Sequence, residues 1–197
     1  MPSWRRLAER GSGPGSLGGR PLPIFAPVAD LFRTRLLSTW LVIATVDGVF
    51  ASALNIFAYG STATRLWQGV AATILGPASF EGGGRSVLIG LLLHLGVALV
   101  WSTVFLALLS QSPWLRRTVS TPGGVLAVAA VYGPAIWMVM SLGVIPLFTG
   151  RPPTIGARWW VQLAGHIGFV ALPIVVMSSR GRVPAAEGLS PSRLDGL

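Results

Sequence analysis

Hydrophobic positions along this chain arrive in long blocks rather than in stripes. From Ser86 to Ser110, SVLIGLLLHLGVALVWSTVFLALLS, 25 residues pass without an Asp, Glu, Lys or Arg. A helix rising about 1.5 Å per residue crosses a hydrocarbon core about 30 Å thick in about 20 residues. Three more blocks of the same kind predict spans over about residues 37–59, 125–148 and 159–177, beside the one at 86–110. The expected fold is all-α: an integral membrane bundle of four transmembrane helices with one short interfacial or re-entrant helix.

That short helix comes from TRLWQGVAATILG, which is too polar to span. Leu66, Trp67, Val70 and Ile74 share one helical face, and Arg65, Gln68 and Thr73 lie away from it. Gly76 before Pro77 predicts its end, and Phe80-Glu81-Gly82-Gly83-Gly84 reads as a flexible link to the second span. Gln111 to Thr121 reads as a polar connection. Pro134 and Pro146 in the third span predict kinks, tolerable where neighbouring helices satisfy the freed carbonyls. Residues 1–35 and 180–197, rich in Arg, Gly and Pro, are expected to be disordered basic tails around a membrane domain at 36–179.

Composition agrees with the blocks. Hydrophobic residues make up 52% and charged ones 11%, against about a quarter charged in ordinary soluble domains. Mean hydropathy is +0.66. A net charge of +9 raises the question of nucleic acid, but the basic residues, all Arg, are scattered around the ends of apolar runs and do not form a patch. The expected partner is the lipid bilayer, with a membrane-protein partner or a second copy left open and no nucleic acid. The absence of Cys removes disulfides and thiol chemistry. No segment resembles a cleaved signal peptide, so the first span is expected to remain.

Arg also sets an orientation. With the N-terminus cytoplasmic, Arg5, Arg6, Arg10, Arg20, Arg33, Arg35, Arg116, Arg117, Arg180, Arg182 and Arg193 lie inside, and Arg65, Arg85, Arg151 and Arg158 outside. That places both termini in the cytoplasm. Trp40, Trp114, Trp159 and Trp160 fall near span ends, where interfacial aromatics belong.

Polar side chains inside the spans are the candidate chemistry, because an ionisable group costs roughly 2.5–3.5 kcal/mol at a helix centre. Helix rise places His94 and His166 about 12 Å below the outer surface, and Asp47 about 15 Å in from the other side. Two readings of this midplane cluster stand side by side. Asp47 pairs with a His as a proton relay or solute site, or each group is interhelical glue. A zinc site of Asp47, His94 and His166 and a b-type haem between the two His are chemically acceptable, but no local motif supports either, and no cofactor or metal is expected. Asn55, Gln68, Glu81 and Tyr132 are secondary candidates. The chain also echoes itself: Ala44-Thr45-Val46-Asp47-Gly48 against Ala129-Ala130-Val131-Tyr132-Gly133, and His94-Leu95-Gly96-Val97 against His166-Ile167-Gly168-Phe169. This suggests a parallel two-helix repeat.

Neither Gly11–Gly19 nor Gly82–Gly84 is followed by the Lys and Ser or Thr of a nucleotide loop, and no Ser sits in a nucleophile motif. The run Gly76-Pro77-Ala78-Ser79-Phe80-Glu81-Gly82-Gly83, then Gly90-Leu91-Leu92-Leu93-His94, Met138, Val144-Ile145-Pro146-Leu147 and Gly165-His166, resembles small uncharacterised bacterial inner-membrane proteins of four spans. Around Pro146-Leu147 and Gly165-His166 it is also distantly similar to the YagU-like group. The resemblance covers roughly residues 38–180. It implies a bacterial inner-membrane location and a four-helix architecture, and it carries over no catalytic residues. The expected function is that of a non-enzymatic membrane component or accessory subunit. A small transporter or proton-coupled channel using the Asp/His cluster is the first alternative, and a haem-binding electron carrier the second.

Overall fold

The computed structural model describes residues 26–180, so of the expected tails residues 1–25 and 181–197 lie outside the described residues, and residues 26–35 are helical. Backbone proximity divides the chain into two units, 1–32 and 33–197. Of the first, only Ala26–Phe32 is described, as helix. Helix α1 runs Ala26–Ala53 and ends in a π-helical turn, Leu54–Ala58. The helical conformation therefore begins at Ala26, ahead of the block at 37–59, with Pro27 near its start, where a missing N–H costs nothing.

Helix α2 is Ala63–Leu75. Thr62 caps it by accepting from Arg65 N at 3.1 Å, and Gly76 ends it with φ +70°, a conformation that only glycine adopts freely. A 3₁₀ turn, Pro77–Phe80, leads to α3, Gly83–Gln111. The link expected over Phe80–Gly84 is thus shorter, because Gly83 and Gly84 already form the first turn of α3. Ser112 caps a six-residue helix α4, Pro113–Thr118, where the sequence suggested only a connection. From α4, Arg116 reaches back to the Leu109 and Ser110 carbonyls and satisfies the open end of α3. Helix α5 covers Pro122–Thr149 and α6 covers Ala157–Ser179.

Two of the long helices loosen into π turns, Val139–Val144 in α5 and His166–Ala171 in α6. Each is followed at once by a proline near the start of the next α segment, Pro146 and Pro173. Proline offers no N–H to the carbonyl four residues back, and a wider turn accommodates the break. In α1 the π turn begins seven residues after Asp47, and in α5 seven residues after Tyr132, the same offset in the two echoing segments.

Four helical stretches are long and apolar enough to cross a membrane: Leu36–Ala58, Gly83–Gln111, Pro122–Thr149 and Ala157–Ser179. Their contacts close a ring. Trp40 of α1 donates to the Leu95 carbonyl of α3 at 2.7 Å. Tyr132 of α5 donates to the Trp101 carbonyl of α3 at 2.8 Å. Trp159 of α6 donates to Ser141 Oγ of α5 at 3.0 Å. Phe169 of α6 stacks on Phe50 of α1, with centroids 4.0 Å apart and planes within 8°. Between the helices lies a core of Ile43, Ala44, Ala98, Phe105, Leu109, Ala129, Ile136, Val170, Ala171, Ile174 and Val175.

Small residues let backbones meet. A methyl group on Gly133 would stand 2.5 Å from the His166 carbonyl oxygen, and one on Gly90 would overlap the Trp67 carbonyl of α2. Helix α2 therefore lies directly on α3, with Trp67, Gln68 and Ala71 buried and Ile74 49% exposed. Of the apolar face read from the sequence, Trp67 turns inward and Ile74 outward. Close backbone approach selected the side with Gln68 and Ala71, and left Ile74 outward.

Outward-facing large side chains are apolar all round, among them Val49, Leu88, Val100, Leu126, Val131 and Leu147. Only 17–33% of each spanning window is buried within the protein. Trp114 and Trp160 also face outward, whereas Trp40 and Trp159 turn inward to make the bonds above. Gly90→Ala and Gly133→Ala are expected to destabilise the bundle by about 1–3 kcal/mol each, read as thermal unfolding in detergent micelles. Gly96→Ala, where a methyl meets nothing within 4 Å, should leave the unfolding temperature unchanged or raise it.

Candidate functional site

Asp47 lies midway along the apolar stretch Leu36–Ala58, and α3 presents His94 beside it. Asp47 Oδ2 stands 3.8 Å from His94 Nδ1, with both side chains mostly covered. The separation is too long for a hydrogen bond and short enough for an ion pair. Among the described residues it is the one ion pair found. His94 Nε2 lies 2.9 Å from the Ala44 carbonyl, one turn before Asp47 on α1. A carbonyl only accepts, so Nε2 carries hydrogen and donates. The other ring nitrogen, Nδ1, is the one that faces the carboxylate.

Two neighbours from outside this helix pair shape the site. The Trp67 indole comes in from α2 edge-on to the imidazole, with centroids 5.2 Å apart. Gly48 makes room for both rings, since a methyl there would stand 3.4 Å from His94 Nε2 and 3.5 Å from the indole. Helix α2 thus reaches the depth of the pair through one side chain.

His166 occupies a separate niche. Its Nδ1 donates to the Gln162 carbonyl of its own helix at 2.7 Å, and its ring lies 4.9 Å from a ring of Trp137 on α5. It remains within electrostatic range of Asp47. The structure therefore joins Asp47 to His94 by contact and to His166 by field alone. No group of three His, Cys, Asp or Glu able to hold a metal ion occurs among the described residues.

The secondary candidates disperse. Asn55 donates to the Thr62 carbonyl at 2.7 Å and tightens the turn between α1 and α2. Gln68 is buried under α2, where its carbonyl receives the Ser79 hydroxyl at 3.0 Å. Glu81 is exposed in the turn before α3. Tyr132 belongs to an aromatic cluster with Trp101 and Phe105, and its hydroxyl serves the contact between α3 and α5.

Sequence reasoning missed a cavity of about 370 Å³ at one end of α5 and α6, lined by Trp137, Ser141, Pro146, Arg151, Arg158, Trp159 and Gln162 among others. Its Gln162 is the residue whose carbonyl holds His166. The cavity draws on the end of one span, a loop and the start of the next. The one signal was the pair Arg151 and Arg158, which flank residues 152–157.

In comparisons with protein-family models, curated proteins and solved structures, the chain matches none. The functional reading rests on the geometry. A double-mutant cycle between Asp47→Asn and His94→Gln, followed by unfolding in micelles, should give a coupling energy of about 1 kcal/mol. The same cycle between Asp47→Asn and Asn55→Ala should be additive.

Proposed function

We propose that the protein is a four-span integral membrane component without enzymatic activity, an accessory subunit or scaffold in which the polar groups of the spans fasten helices to one another. The observation that carries this reading is the use made of the interior donors. Trp40, His94 and Tyr132 each give a hydrogen to a backbone carbonyl on a neighbouring long helix. The apolar exterior of all four stretches supports membrane insertion. The Arg distribution favours cytoplasmic termini, with α2 on the opposite face. The resemblance to small four-span bacterial proteins favours the inner membrane.

A second reading is a small transporter or proton-coupled channel. It is favoured by the Asp47–His94 gap of 3.8 Å, which leaves the facing atoms free of a closed hydrogen bond, and by the field of His166 on the same carboxylate. Such a pair inside a span is a place where a proton can be gained or lost.

One experiment separates the two. The protein, retained in membranes after alkaline carbonate washing, is reconstituted into vesicles containing a pH-sensitive dye. Under an imposed pH gradient, a structural component leaves the vesicles as proton-tight as protein-free ones, and Asp47→Asn changes only stability. Proton flux in the wild type that is lost in Asp47→Asn would replace the first reading with the second.

A further inference from the structure

We propose that the cavity between the end of α5 and the start of α6 binds a phosphate oxyanion, carried by an anionic lipid headgroup or by a free phosphate. The site is built from donors. Arg151 follows Gly150, whose φ of +64° turns the chain off α5, and Arg158 stands in the first turn of α6. Both Arg residues line one cavity, and no acidic residue does. Neither Arg takes part in an ion pair among the described residues.

The Arg158 guanidinium sits 4.2 Å from the centroid of the Tyr59 ring. That contact holds the cation beside an aromatic ring and away from any carboxylate. Trp137, on the cavity wall, holds a buried indole N–H without an acceptor. Helix α6 opens with Gly156 and has no side-chain cap, so its first N–H groups add to the positive end.

These donors outnumber the two oxygens of a carboxylate and suit a phosphate, which the Arg fork matches in geometry. Among the other lining residues, Trp137, Ile145, Pro146 and Trp159 present apolar surface, beside the polar Ser141, Thr149, Thr154 and Gln162. That apolar surface suits the glycerol and first methylenes of a lipid, and basic pockets between membrane helices bind such headgroups. A cavity of about 370 Å³ fits a headgroup and not a whole lipid. The lipid source rests on the membrane reading; the oxyanion chemistry does not.

The test uses the full-length protein in non-ionic detergent, where binding does not depend on insertion and so can fail independently of the carbonate wash above. Dihexanoyl phosphatidylglycerol, dihexanoyl phosphatidylcholine and inorganic phosphate are titrated in turn, with tryptophan fluorescence and thermal unfolding as readouts. Saturable binding of phosphatidylglycerol over phosphatidylcholine is expected. It should weaken about tenfold or more when Arg151→Gln and Arg158→Gln are combined, as loss of a charge-assisted hydrogen bond requires. With that pattern, silence toward inorganic phosphate identifies the lipid as the source. A saturable response to inorganic phosphate with the same Arg dependence identifies the free anion. Should the double Gln variant not fold, Arg151→Lys with Arg158→Lys keeps the charges, loses the fork and should weaken binding less. No response to either anion, binding untouched by the Arg substitutions, or equal binding of the two lipids without a response to inorganic phosphate would overturn the proposal.

Discussion

A polar hydrogen buried among apolar helices has few acceptors to choose from, and the largest supply is the backbone of the next helix. This constraint organises the bundle. The indole of Trp40, the imidazole of His94 and the phenol of Tyr132 all solve it by crossing to a neighbour's carbonyl. Hydroxyls such as Ser102 and Thr103 solve it by turning back to the carbonyl four residues earlier on their own helix. The crossing donors each hold a pair of helices at one rotation. Contacts of this type contribute about 0.6 kcal/mol on average in a membrane, so their value here is orientation more than strength.

Asp47 is the group that this scheme leaves over. As an acceptor it has no use for a carbonyl, and α3 brings beside it a ring able to carry positive charge, His94. The two His residues look alike in the sequence, yet they are employed differently. His94 bonds across to α1, whereas His166 bonds within α6 and leaves the α5 contact to bare backbone at Gly133. A π turn begins at His166 and none occurs in α3, so the two halves differ most where the sequence echo is strongest.

The four long helices were legible because uninterrupted apolar runs of 20 residues or more have few alternatives, and the depth of Asp47 and His94 followed from helix rise alone. Which way each side chain faced was not legible. Rotation about a helix axis is set by packing, here by glycines such as Gly90 whose effect depends on what lies opposite. The same reason hid the buried face of α2, where hydrophobicity pointed to Ile74 and backbone contact selected Gln68 and Ala71. The Arg151 and Arg158 cavity could not be read because it exists only when the ends of two helices meet.

The claim on which the rest depends is that four apolar helices cross the bilayer with their polar groups turned inward. Because the chain has no native Cys, single substitutions report without background. Ser61→Cys, Ser112→Cys and Thr154→Cys are labelled in sealed, oriented vesicles with a membrane-impermeant maleimide. The account predicts that positions 61 and 154 react from one side and 112 only from the other, with Gly96→Cys silent. Reaction of 61 and 154 from opposite sides, or ready labelling at 96, would contradict it.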